Sequence, residues 1–198
     1  MALILIGSPR SRAMRNLWMM EELGLAFEHR SVEWDDPWLK GLDYLTLNPA
    51  GSIPLLIDND FALAESLAIN LHLARNYGGG RLYLSEAHEA ALVLRWSLWA
   101  QSHVEPWVQR DETVLRHVTS SARMELLCMA LATLERALMD RVWLVGEMFS
   151  VADANVAGIL SPSRVALFDL TPWPAVTAWL ARCYGRPAAV RAREKYAS

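Results

Sequence analysis

Apolar positions fall into two regimes along the chain. Up to about residue 77 they form short runs and alternations broken by turn residues. From about residue 86 onwards they recur almost continuously at helical spacing. Ala2–Ile6 is an apolar run closed by Gly7-Ser8-Pro9, the pattern of a buried strand and its turn. Met14, Leu17, Trp18 and Leu23 give Ser11–Leu23 a helical period, and Gly24 stops it. Phe27–Val32 alternates as a strand does. Asp35-Asp36-Pro37 opens a polar loop and Asn48-Pro49-Ala50-Gly51 makes a turn. Ile53–Ile57 reads as a third strand, joined through Asp58-Asn59-Asp60 to a short fourth at Phe61–Leu63. Glu65–Asn76 is helical by pattern. The order is β-α-β then β-β-α, a parallel pair with a right-handed crossover followed by an antiparallel pair.

Gly78-Gly79-Gly80 then interrupts the chain, and residues 78–85 read as a linker. Beyond it strand signals stop. Glu86–Trp107, Ser121–Arg141, Val151–Phe168, Ala175–Cys183 and Pro187–Tyr196 all read as helices, with Pro174 and Pro187 in first turns where proline is tolerated. The expected organisation is an α/β domain over residues 1–77 and an all-α domain over 86–198.

Composition narrows the class. With 198 residues, 53% of them hydrophobic and 21% charged, the chain is long and apolar enough for a folded core. A formal net charge of -3 gives no broad basic field, so nucleic acid is not an expected partner. Arg10, Arg12 and Arg15 make a local basic patch; Arg12 and Arg15 read as solvated or paired with Glu21-Glu22, or else as adding positive potential at the helix start. Cys128 and Cys183 sit in helical apolar contexts and read as reduced core thiols, with no CxxC pair. MALILIGSPR has neither a basic start nor a long apolar stretch, so a cytoplasmic protein without a membrane segment is expected. No metal-ligand spacing occurs, and no metal is expected.

A few residues carry chemistry beyond packing. Pro54 heads an apolar strand and fits either a strand start or a cis step. Glu65-Ser66 opens a helix, where unpaired N–H groups and the positive dipole end suit a carboxylate. Ser66 can add a hydroxyl, and Glu65 can accept from an ammonium. The same pair can also merely cap and complement that helix. Ser150-Val-Ala-Asp153 is a capping box and reads as structural. Trp96, Trp99, His103 and Trp107 are spaced to lie near one helix face, as core packing or as the wall of an apolar pocket.

Four segments, taken together and in order, resemble the cytosolic glutathione S-transferase superfamily over nearly the whole chain. They are SRAMRNLWMMEELGLAFE, NPAGSIPLL followed by LAESLAINLHLA, WLVGEMFSVADANVAGIL, and WPAVTAWLARCYGRPAAVRA. The resemblance implies a thioredoxin-like N-terminal domain followed by a helical C-terminal domain, with glutathione as co-substrate and a small hydrophobic electrophile as partner. It implies a homodimer and transfer of the glutathione thiolate to the electrophile.

Ile53-Pro54 would be the family's cis step and Glu65-Ser66 its γ-glutamyl site. Lys40 would meet the glycyl carboxylate. Ser52 stands where the family often carries Lys or Gln, a departure that bears on glutathione affinity. Family members place Tyr, Ser or Cys near the start of the first helix. This chain offers Ser11, and behind it Ser8. Trp99 and His103 are the expected electrophile contacts, between the domains. A non-catalytic binding protein on the same fold, or a glutathione-dependent isomerase, peroxidase or dehalogenase, are the other readings.

Overall fold

The computed structural model describes residues 2–108, 120–166 and 168–196. It divides into two compact units, Met1–Tyr83 with Arg186–Ser198, and Leu84–Gly185.

The first unit is built on a four-stranded sheet in the order β2-β1-β3-β4, from β1 (Leu3–Ile6), β2 (Glu28–Arg30), β3 (Leu55–Asp58) and β4 (Phe61–Ala64). β1 and β2 are parallel, joined by α1 (Ala13–Leu23). β3 runs antiparallel to both β1 and β4. This is the thioredoxin-like β-α-β, β-β-α arrangement. Cross-strand partners share a face, so the registers sort the side chains. Ile4, Ile6, Leu55, Ile57, Ala62 and Ala64 form one face, packed with Leu39, Tyr44, Val32 and Ile53. Leu5, His29, Leu56 and Leu63 lie on the other.

α1 and α3 (Ser66–Tyr77) pack on each other and on the sheet, burying Leu17, Met20, Ile69 and Leu73 completely. Gly24 closes α1 at φ 63°, and its N–H reaches back to Glu21, as expected of a left-handed cap.

The segment read as a polar loop contains two short elements. Pro37–Lys40 is a 3₁₀ turn in which the Asp36 carboxylate accepts from the Trp38 N–H. α2 (Leu42–Leu47) follows. Six residues are too few to show a helical period, so the pattern missed it.

The other unit is helical in its described residues: α4 (Ala87–His103), α5 (Glu105–Val108), α6 (Ser120–Leu138), α7 (Val151–Ile159), α8 (Pro162–Val165) and α9 (Pro174–Tyr184). Two expected long helices are broken. Glu86–Trp107 divides at Val104, because Pro106 has no N–H to carry the helix on. Val151–Phe168 stops at Ile159, since Pro162 forces Ser161 to an extended backbone, ψ 152°.

α10 (Pro187–Tyr196), which helical spacing alone groups with residues 86–198, packs on α1 in the first unit. Arg186 makes a two-pronged ion pair with Glu22, both bonds 2.8 Å, and Arg191 and Lys195 converge on Glu21. Burial pushes the Glu21 carboxyl up, but these two cations outweigh it and hold it below its ordinary value. Among the described residues no helix is long and apolar enough to cross a membrane.

Candidate functional site

Three chain segments leave the sheet at one end. Ile6 pairs with Leu55 and Leu55 with Ala64, so Gly7, Pro54 and Glu65 each stand one residue beyond the same edge. Gly7 is the point of closest approach. A side chain there would lie 3.0 Å from Ala13 Cβ, 3.3 Å from Ile53 Cβ and 3.5 Å from Pro54 Cα. Its φ of 145° suits only glycine.

The turn after Gly7 carries both candidate serines. Ser8 is buried. Its Oγ donates to a Glu33 carboxylate oxygen at 2.9 Å and accepts from the Arg10 N–H. Ser11 Oγ donates to the Ser8 carbonyl at 2.7 Å and accepts from the Ala13 N–H, the first residue of α1, at 3.1 Å. Ser11 therefore stands two residues before the helix it was expected to begin. Its hydroxyl already holds the α1 entry.

Ile53-Pro54 is a cis peptide, as the resemblance implies. The loop before it is pinned from α2. The Ser52 carbonyl accepts from Tyr44 OH at 2.6 Å and from Asn48 Nδ2 at 2.7 Å. Burial raises the Tyr44 phenol, with the Asn48 hydrogen bond opposing. Lys40 Nζ donates to the Gly51 carbonyl at 2.9 Å. Lys40 is thus tied to the loop that carries Ser52 and Pro54, and Ser52 itself is exposed.

At the third segment, Glu65 occupies the N-cap of α3 with φ 72° and ψ 110°, and its side chain caps nothing. A non-glycine residue held there costs about 1–3 kcal/mol, and such outliers concentrate at functional sites. Ser66 is 2% exposed. Arg15 Nη1 donates to its Oγ at 3.2 Å, and Asn16 Nδ2 donates to its carbonyl at 2.8 Å and to Asn70 Oδ1 at 2.8 Å. Arg15 is itself only 4% exposed. The reading of Arg15 as solvated or paired with Glu21-Glu22 is therefore corrected: Glu22 pairs with Arg186 and Glu21 with Arg191 and Lys195 of α10, while Arg15 turns inward to Ser66. The first turn of α3 has no acidic side chain to occupy its N–H groups.

Two other carboxylates are closed off by structure. Asp153, fully buried in the first turn of α7, accepts from Leu144 N–H, Ser150 N–H, Ser150 Oγ and Trp179 Nε1. Burial pushes it up, against these hydrogen bonds. Asp58, at the opposite end of β3 from Pro54, accepts from His72 Nε2, Tyr77 OH and Asn59 Nδ2. Burial pushes Asp58 up, but its donors prevail and hold it low. Burial and the Asp58 carboxylate push Tyr77 up to about 12.

Within the helical unit, Trp99, His103 and Trp107 line a groove of about 370 Å³ with Leu126, Met129 and Thr133. The Trp99 and His103 rings lie nearly parallel, 12° apart at 6.3 Å. Trp96, the fourth aromatic of the spacing, is buried and meets Trp99 edge-on at 5.1 Å.

Sequence reasoning passed over Asn16, Asn70, Tyr44 and His29, and read Asn48 only as a turn residue. A signal existed for some. Asn70 lies four residues from Ser66 on one helical face, and Asn48 follows four residues after Tyr44 as the C-cap of α2. Nothing local pointed to His29, whose Nε2 donates to the Gly7 carbonyl at 2.9 Å.

Comparison with known proteins adds to this geometry. Residues 10–76 match the family described as glutathione S-transferase, N-terminal domain, and residues 120–182 match its C-terminal domain. A maize protein named glutathione S-transferase 3 is 32% identical over 93% of this chain and 90% of its own. GstB, a glutathione S-transferase of Escherichia coli K12, is 30% identical over 87% and 88%. A glutathione transferase crystal structure from Methylococcus capsulatus superposes with a TM-score of 0.81 at 26% identity, covering 99% of both chains.

Proposed function

This chain belongs to the glutathione S-transferase superfamily, and on that premise we propose that it binds glutathione at the common sheet end and adds its thiolate to a small apolar electrophile. The observation that carries this reading is the convergence there of the Ser11 turn, the cis Ile53-Pro54 step and the strained Glu65. The Ile53 backbone pairs with the cysteinyl part of glutathione as a short antiparallel contact beside Pro54. The α3 N-terminus and the Ser66 hydroxyl receive the γ-glutamyl carboxylate, and Glu65 accepts from its ammonium. Lys40 gives one N–H to Gly51 and keeps others for the glycyl carboxylate, beside Ser52.

The chemical step needs a thiolate. A cysteine-type thiol with a pKa of about 8.5 is about 3% ionised at pH 7. Lowering it by about two units requires about 2.7 kcal/mol of preference for the anion. A hydrogen bond to a charged acceptor supplies about 1.5–3 kcal/mol. Ser11 can give one by rotating its proton off the Ser8 carbonyl while Oγ still accepts from Ala13; giving up that neutral bond, worth about 0.5–1.5 kcal/mol, leaves at most about 2.5 kcal/mol, and the positive end of α1 adds about 0.3–1 kcal/mol. The electrophile meets Trp99 and His103. The protein acts as a cytoplasmic homodimer, with no metal, nucleic acid or membrane partner.

A second reading, a glutathione-binding protein without turnover, rests on a specific observation: the hydroxyl protons of both Ser8 and Ser11 are engaged inside the protein. Calorimetric titration with glutathione beside Glu65→Ala and Ser66→Ala tests the site. Weakened binding in both variants supports it, and no binding by the wild type overturns it. A conjugation assay with Ser11→Ala then separates the two readings. Lost turnover with retained binding supports the enzyme, and no turnover by the wild type leaves the binding protein.

A further inference from the structure

We propose that His29 is a positioning residue for the thiolate-stabilising hydroxyl, an inference that rests on the assignment of Ser11 above. His29 lies in the middle of the edge strand β2, opposite Leu5. The parallel ladder between β1 and β2 ends with the Gly7 N–H donating to the Arg30 carbonyl at 2.9 Å. The Gly7 carbonyl is then met by a side chain, His29 Nε2, at 2.9 Å. A carbonyl oxygen only accepts, so the ring proton sits on Nε2.

The next carbonyl, Ser8, receives both the N–H of Ser11 at 2.9 Å and its hydroxyl at 2.7 Å. Two consecutive carbonyls therefore form a chain from imidazole to serine. Gly7 lacks a Cβ, so its own backbone preferences do little to fix the peptide plane between it and Ser8. The hydrogen bond from His29 fixes that plane from outside. The plane in turn directs the Ser8 carbonyl and the oxygen of Ser11 seated on it.

The ring is itself held. Tyr196 of α10 meets it edge-on, at 5.5 Å and 89°. Tyr196 also donates to Glu21 at 3.4 Å, beside Lys195 on the same carboxylate. The last helix thus sets the histidine, the histidine sets the Gly7–Ser8 peptide, and that peptide sets Ser11.

His29→Phe keeps a ring against Tyr196 without the donor, and His29→Gln keeps a donor without the ring. The expected result is a fall in kcat of about tenfold in His29→Phe, with the glutathione KM changed less than about twofold and most of kcat restored in His29→Gln. Ultraviolet titration of bound glutathione should show the thiol pKa raised in His29→Phe only. Amide exchange at Ser11 should be faster in the same variant. Should His29→Phe fail to fold, His29→Leu read against His29→Gln makes the same comparison.

Equal impairment of the Phe and Gln variants would mean packing alone and overturn the inference. So would wild-type kcat in His29→Phe beside an inactive Ser11→Ala. Full activity in Ser11→Ala overturns the assignment of Ser11 and the role of His29 with it.

Discussion

Two helices of this protein begin with the same pair of residue types and use them in opposite ways. At α7, Ser150 and Asp153 face inward, and the carboxylate is closed by four donors from its own chain. At α3, Ser66 is held from behind by Arg15 and Asn16, while Glu65 stands exposed in an unfavourable backbone conformation and caps nothing. One helix N-terminus is satisfied internally and locks a core. The other is held open, with its N–H groups and an acid presented outwards. A serine and an acid at a helix start therefore do not announce a binding site. Which one is left incomplete is the difference on which the proposed site rests.

The largest effect is expected on the closed side. Asp153→Ala strands buried N–H groups of Leu144, Ser150 and Trp179 and should lower stability by about 3–5 kcal/mol, read by urea unfolding. A loss under about 1 kcal/mol would break the contrast.

Next comes Ser11→Ala, expected to reduce conjugation at pH 7 about twentyfold, the fall in thiolate fraction when a two-unit pKa shift is lost, while glutathione binding by calorimetry stays within about twofold. Ser66→Ala should weaken glutathione about tenfold or more, since it removes one donor to a carboxylate, and should also lower stability by about 1–3 kcal/mol, since the buried Arg15 Nη1 loses the Ser66 acceptor.

Glu65→Gly sharpens the comparison further. Releasing the positive φ should raise stability by about 1 kcal/mol while weakening glutathione binding, measured on the same preparation.

The smallest effect concerns Asp58, the satisfied acid at the far end of the same sheet. Its folded pKa lies below the unfolded value, so it adds stability above about pH 4 that is lost as pH falls through the folded pKa. Asp58→Asn should flatten that acid limb in pH-dependent unfolding. An unchanged limb would assign it to other groups.

Much of the fold was legible because short-range rules coincide with it. The alternation around Ile53–Ile57, the Asp58-Asn59-Asp60 turn and the stop at Gly24 each depend on neighbours in sequence. The chain breaks at Val104 and Ile159 were also written locally, in Pro106 and Pro162, but strong apolar periodicity masked them. What could not be read depends on partners far along the chain. Arg15 looks like any helix-surface arginine until α1 lies against α3. Nothing in a glutamate foretells a left-handed backbone at residue 65. His29 acquires its bond only when β1 and β2 pair, and Tyr196 reaches it only because α10 comes back to α1.

That return has a consequence for how the protein is made. About a hundred residues separate Tyr83 from Arg186, yet both belong to the same compact unit. On a ribosome adding about 5–20 residues per second, the face of α1 that receives Arg186, Arg191 and Lys195 waits about 8–35 s for its cover. During that interval a nascent chain holding all three segments of the proposed glutathione site still lacks Tyr196 behind His29. A stalled or clipped product ending before α10 would carry every residue proposed to touch glutathione and still lack the helix proposed to steady the serine turn.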